Sequence, residues 1–118
     1  MELRTPETDS KYRDAEKNGI NNSCFFCDES RQQPVKEFNH FKLVENDFPY
    51  DAIAEVSHLL FPKRHIREYE YTKEEIDELN DIKTGYLQKA DYNYLMEGIT
   101  KTSIPAHIHY HAIRLLKN

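Results

Sequence analysis

The chain has 118 residues, the size of one compact domain. Only 38% of these residues are hydrophobic and the formal net charge is -5, which argues against the basic face that non-specific nucleic-acid binding needs. No apolar run approaches the roughly 20 residues of a membrane span, so we expect neither nucleic acid nor membrane as a partner.

The N-terminal residues 1–22 are polar and charged without clear periodicity. This pattern predicts a solvated arm or short surface helix preceding a domain at 23–118. The arm contains no apolar segment typical of a secretory signal. The only cysteines are Cys24 and Cys27, and their C-x-x-C spacing favours a metal or redox pair in the reducing cytoplasm over a disulfide framework.

The first half of the domain shows short strand and turn patterns. Residues 29–36 are polar and contain a proline, which predicts a loop. Residues 41–45 have strand composition, and 46–50 combine Asn, Asp and Pro as a turn does. The apolar run at 57–61 predicts a buried strand.

A helix is the clearest element of the second half. Thr72 and Glu75 have the spacing of a capping box. Apolar side chains then follow at the three- and four-residue spacing of an amphipathic helix: Ile76, Leu79, Ile82, Tyr86, Leu87 and Ala90. Strands are predicted at 92–96 and 106–116. This order of elements indicates an α+β fold, a mainly antiparallel sheet with helix cover.

Three histidines alternate with apolar residues in the last predicted strand. Side chains in a strand alternate between faces, so His107, His109 and His111 share one face, with neighbouring positions ~6.6 Å apart. Such a row suits a polar pocket better than a dry core, because each buried ring needs hydrogen-bond partners. The alternative is a coincidental cluster or a set of unrelated metal ligands, although three of the six histidines fall within five residues.

Four motifs together resemble those of the histidine triad (HIT) family. Residues 107–113 look like its signature of alternating histidines, and 58–66 resemble its histidine-led strand that runs into Pro-Lys-x-His. Residues 46–50 are similar to the N-x-x-P-Y segment of its dinucleoside-polyphosphate branch, and 24–27 to its C-x-F-C segment. The motifs occur in the family's order.

The resemblance implies a HIT-like fold with a five-stranded, mainly antiparallel sheet, usually paired as a homodimer. It also implies a reaction in which His109 attacks the α-phosphorus of a nucleoside phosphate or phosphoramidate, forming a nucleotidyl-histidine that water or another acceptor releases. His111 would line the phosphate site as a protonated ring. His58 would lie beside the attacking histidine, unless it is a core histidine bonded to a backbone carbonyl. Asn46 and Ser103 are the candidate substrate-binding residues.

Cys24, Cys27, His65 and His107 make a complete tetrahedral zinc set. Many members of the family carry a structural zinc at matching positions. The alternative is a pair of buried thiols packed as small hydrophobes.

Three functions remain open at this point. The intact triad favours an enzyme, a hydrolase or nucleotidyltransferase acting on a small nucleotide. The segment 95–98 lacks the asparagine usual in active members, which favours a non-catalytic nucleotide-binding module. The third possibility is a zinc-stapled interaction domain.

Overall fold

The regular structure consists of two α-helices and five β-strands within the residues that the computed structural model describes, 2–99 and 102–117. In chain order these are α1 (Pro6–Lys17), β1 (Pro34–Glu37), β2 (Phe41–Glu45), β3 (Ala54–Pro62), α2 (Lys73–Ile82), β4 (Tyr94–Met96) and β5 (Tyr110–Leu115). The strands form one sheet in the order β1-β2-β3-β5-β4, and every neighbouring pair is antiparallel. The predicted α+β fold with a five-stranded sheet is confirmed. No helix in these ranges is both long and apolar enough to cross a membrane.

The two faces of the sheet have different cover. Helix α2 and the π-helical turn after it, Lys83–Leu87, pack on one face and complete the larger core, which contains Phe41, Leu43, Leu60, Leu79, Ile82, Leu87, Tyr110 and Ala112. The opposite face has a smaller cluster of Phe25, Phe26, Val44, Leu59 and Phe61. Leu59 and Leu60 belong to different clusters because adjacent strand residues point to opposite faces. The second face carries the histidine site.

The capping box of α2 is present as predicted. Glu75 N donates to Thr72 Oγ1 at 3.1 Å, and Thr72 N donates to Glu75 Oε1 at 2.9 Å. Arg64 also donates to the Glu75 carboxylate, at 3.0 and 2.7 Å, and this interaction holds the pKa of Glu75 at about 2. The start of α2 is thereby tied to the loop after β3, which contains His65.

Four strands differ from the sequence prediction: β3 is longer than the predicted 57–61, β4 is shorter than the predicted 92–96, and β1 and β5 differ most. β1 overlaps the end of the segment 29–36, for which a loop was predicted. The strand was missed because its residues are mostly exposed at the sheet edge and show no apolar alternation. An edge position also tolerates Pro34, which cannot donate a backbone hydrogen bond. β5 begins at Tyr110 and not at residue 106, since the chain turns at Pro105.

The N-terminal arm contains α1, which has no buried residue. Polar contacts attach it to the segment before β3: Asp51 accepts from Thr5 N at 2.9 Å and also from the hydroxyl groups of Thr5 and Thr8. The arm therefore lies against the domain without adding to its core.

Candidate active site and metal centre

The structure brings together the four residues predicted as metal ligands. One ligand atom from each of Cys24, Cys27, His65 and His107 lies within 4.8 Å of the other three. His107 Nδ1 is 3.5 Å from each sulfur atom and 3.2 Å from His65 Nδ1, which is itself 3.1 Å from Cys27 Sγ. The ligands come from three separated segments, so a bound ion would join these segments.

These distances are close to those between the ligand atoms of a tetrahedrally coordinated metal ion. Bonds of about 2.0–2.3 Å at tetrahedral angles place ligand atoms about 3.3–3.8 Å apart. His107 is fully buried, and its Nε2 donates to Pro62 O at 2.7 Å. A carbonyl oxygen only accepts, so Nε2 carries the proton and the Nδ1 lone pair faces the cluster. The four side chains can therefore hold a metal ion.

His109 is oriented by the backbone of His107. Its Nδ1 donates to His107 O at 2.9 Å, which leaves the lone pair on Nε2. Phe26 stacks on the ring, with 4.5 Å between centroids, and Thr102 Oγ1 lies 3.5 Å from Nε2. Burial lowers the pKa of His109, so the neutral form dominates at neutral pH. The site therefore holds a neutral imidazole whose unprotonated Nε2 has the lone pair that a nucleophile needs.

His111 lies beside His109, with 5.9 Å between the ring centroids. It stacks on Tyr50 at 4.2 Å, and its Nε2 is 3.1 Å from Tyr50 Oη. Nδ1 is buried without a hydrogen-bond partner among the described residues. Burial, and then the charges of His109 and Arg4, lower the pKa of His111 to about 3. Packing removes the ring from water and so favours its neutral form in the unliganded site.

A pocket of about 530 Å³ opens in front of His109 and His111. Asn46 lines it: Oδ1 accepts from Phe48 N at 2.9 Å, whereas Nδ2 is buried with no partner in the described ranges. Ser103 also lines the pocket, and its hydroxyl contacts Tyr12 Oη. Four predicted site residues thus share one cavity: Asn46, Ser103, His109 and His111.

His58 is not brought to this pocket. It lies on the α2 side of the sheet, where its Nδ1 is 2.5 Å from Tyr92 Oη and its Nε2 is 3.3 Å from a Glu45 carboxylate oxygen. We predicted His58 beside the attacking histidine, with a backbone-bonded core residue as the alternative, and the structure has neither arrangement. Ser57, one residue earlier, points the other way and accepts from Tyr50 N at 3.1 Å. A shift of one residue along a strand reverses the face.

Sequence reasoning missed the contribution of the N-terminal arm. Arg4 and Tyr12 line the pocket together with Tyr50, and the Tyr12 ring packs against Phe48 at 5.2 Å. The arm has no apolar periodicity, so only the presence of aromatic and basic side chains in a polar segment could have drawn attention to it.

Two solved structures resemble the chain. A protein described as "Hit Like Protein" superposes with a TM-score of 0.52 at 19% sequence identity, covering 70% of this chain and 84% of its own. A HIT family hydrolase from Legionella pneumophila Philadelphia 1 superposes with a TM-score of 0.58 at 20% identity, and the match covers 78% of this chain and 92% of the hydrolase. The chain has the histidine triad fold. At these identities the similarity establishes the fold, and the chemistry has to be argued from the residues.

No protein-family profile and no curated protein matches the sequence. The histidine triad fold of this chain places the C-F-F-C segment, the loop with His65 and the triad on one face of the sheet. The Cys/His cluster and the pocket are therefore adjacent: Phe26, which lies between the two cysteines, lines the pocket and stacks on His109.

Proposed function

We propose that the protein is a nucleotide hydrolase or nucleotidyltransferase that acts through a nucleotidyl-histidine on dinucleoside polyphosphates or nucleoside phosphoramidates. The observation that carries this proposal is the His109 ring, with Nδ1 held by His107 O and the unprotonated Nε2 beside the pocket, 3.5 Å from the Thr102 hydroxyl. The cavity of about 530 Å³ has the size of typical small-ligand sites. The histidine triad fold and the likeness to a HIT family hydrolase support the same reaction class.

The first step forms a bond between His109 Nε2 and the α-phosphorus. As this bond forms, the bond from phosphorus to the leaving oxygen or nitrogen breaks, and its electron pair leaves with that group. The Nδ1–H bond to His107 O stabilises the positive charge that develops on the ring. In the second step the oxygen of water or another acceptor attacks phosphorus and loses its proton to solvent. The P–N bond then breaks and returns the electron pair to Nε2.

Neutral donors around the pocket are suited to the phosphoryl oxygens and the sugar. Asn46 Nδ2 and His111 Nδ1 are both buried without partners in the described part of the chain. Buried polar atoms are seldom left unpaired, so a polar ligand between them is the natural partner. Ser103 and Thr102 also line the pocket, and their hydroxyl groups extend this set.

The metal in the adjacent cluster is, in our proposal, a structural zinc ion. Two cysteine thiolates and two imidazole nitrogens are a donor set that zinc prefers. The ion would stabilise the domain by joining the C-F-F-C segment, the loop after β3 and the segment before β5. Both cysteines are free of disulfides, which suits the reducing cytoplasm where we place the protein.

A non-catalytic nucleotide-binding module is the second candidate. It is favoured by the neutral state of His111, since this ring contributes no positive charge to the unliganded site. A turnover screen with adenosine and guanosine phosphoramidates and dinucleoside polyphosphates tests both candidates. Measurable turnover of one compound supports the enzyme, and nucleotide binding without turnover supports the module.

The pH dependence of turnover should reflect the buried nucleophile. Burial lowers the pKa of His109 from its ordinary value of 6.5, so the reactive neutral form persists as the pH falls through 6.5. We expect kcat/KM to decline only below that pH, measured with a dinucleoside polyphosphate whose internal phosphates do not titrate there. A decline centred at or above pH 6.5 would contradict this.

We also propose that the protein pairs as a homodimer. β4 is an exposed sheet edge, and large apolar side chains lie exposed on it and elsewhere, among them Tyr94 at 59%, Tyr69 at 81% and Ile99 at 79%. Edges and patches of this kind favour association, and a two-fold pair is its commonest form. Sedimentation at micromolar concentration should show a dimer, whereas a monomer across that range would count against it.

A further inference from the structure

Arg4 presents a cation to the candidate nucleotide pocket from the N-terminal arm. Its guanidinium carbon lies 4.3 Å from the centroid of the Tyr12 ring and 5.0 Å from that of Tyr50. Nε donates to Phe48 O at 2.7 Å, which is the one hydrogen bond of this side chain within the described residues. The two Nη groups keep their donors available to a ligand.

The other two arginines that line the pocket have different partners. Arg13 donates to the carboxylate of Asp9 at 2.8 Å. Arg31 donates to Ile20 O at 2.8 Å and to Ser23 Oγ at 3.2 Å. Among these three arginines of the described residues, Arg4 alone combines two unbonded Nη groups with the absence of a carboxylate partner.

Packing holds Arg4 in this position before any ligand binds. Tyr12 contacts Ser103 and accepts a hydrogen bond from Asn21 Nδ2 at 3.0 Å, while Asp51 fixes the start of the arm. A cation that is already oriented loses little freedom on binding, which favours affinity.

The order of contacts separates Arg4 from the reacting atom. His109 lies beside His111, His111 stacks on Tyr50, and Tyr50 contacts Arg4. A phosphorus atom in contact with His109 Nε2 is therefore two aromatic rings away from the guanidinium. A phosphate further along a chain can reach it, and a planar guanidinium matches phosphate oxygens in charge and geometry.

We infer that Arg4 binds a phosphate beyond the one attacked, so that the pocket selects nucleosides carrying a polyphosphate chain over nucleoside monophosphates and phosphoramidates. This inference rests on the proposed function and specifies its substrate class. It also assigns the N-terminal arm, which lies outside all four sequence motifs, a role in substrate selection.

The test compares affinities across phosphate chain length. The full-length, metal-loaded protein carrying His109→Ala, which prevents turnover, is titrated calorimetrically with adenosine mono-, di-, tri- and tetraphosphate. We expect tetraphosphate to bind at least about tenfold tighter than monophosphate. Arg4→Ala should remove most of this ratio, and Arg4→Lys should retain part of it. Lys11→Ala removes the same charge from an exposed position of the arm, 3.5 Å from Glu7, and should change nothing.

Three outcomes would overturn the inference. If Arg4→Ala leaves the ratio of tetraphosphate to monophosphate affinity unchanged, the side chain does not contact the phosphate chain. An equal loss of affinity for all four nucleotides means that Arg4 only supports the pocket wall. If Lys11→Ala reduces the ratio as much as Arg4→Ala, the effect comes from general charge. In these three cases nucleotide still binds, whereas failure of the parent protein to bind any of the four compounds rejects the proposed function itself.

Discussion

Replacing His109 by alanine is expected to lower turnover by several orders of magnitude while leaving the fold and nucleotide binding largely intact. The reason is that the ring supplies the atom that bonds to phosphorus, and loss of a covalent nucleophile has effects of this size. Stability should change by only about 1–2 kcal/mol, because the variant loses one stacking contact with Phe26 and one hydrogen bond to His107 O. Steady-state kinetics and thermal unfolding measure the two effects separately.

His58→Ala is the matched control for this experiment. His58 is also a histidine in the sheet, but its ring contacts Tyr92 and Glu45 on the opposite face. We expect this variant to retain turnover even if its stability falls. Equal turnover by wild type and His109→Ala for every tested nucleotide would reject the enzyme and leave the binding module. If binding is absent as well, the zinc-stapled interaction domain remains.

Replacing His107 by alanine is expected to release the metal, and this should have the largest effect on stability. The untagged protein should contain about one zinc ion per chain, and losing a metal site that joins three segments should lower the free energy of unfolding by more than about 3 kcal/mol. Elemental analysis and thermal unfolding test this. His40→Ala removes an exposed histidine outside the cluster and should leave both quantities unchanged.

His107→Ala should also lower turnover, although His107 does not contact the attacked phosphorus in the proposed reaction. Phe26 lies between the two cysteines and stacks on His109, and the backbone of His107 accepts the His109 Nδ1 proton. Loss of metal therefore disturbs the two contacts that orient the nucleophile. Full stability of a metal-free wild type, with both thiols freely titratable, would contradict the zinc proposal.

Local patterns in the sequence were sufficient for several features. The capping box at Thr72 and the apolar stripe behind it determine α2, because both act over three or four residues of one helix. The alternation around His109 identified the three rings, although only His111 lies in β5 and the segment before the strand positions His107 and His109. Motif order and donor chemistry identified the four cluster residues, which the structure brings within 4.8 Å of one another.

Other features depended on contacts between distant segments. The face of His58 is decided by the register of β3 against β2 and β5, which a short apolar run does not reveal. Burial lowers the pKa of His111, and Tyr50, 61 residues away in sequence, stacks on this ring. Helix α1 reaches the pocket through polar contacts such as those of Asp51, and such contacts leave no periodic signal in the sequence. The sequence by itself thus determined the candidate metal ligands and the candidate nucleophile, because donor type and local spacing are properties of short segments. Tertiary structure decided the burial of His111, the separation of His58 from the pocket and the position of Arg4 beside Tyr50, because burial, strand register and proximity arise only when distant segments pack together.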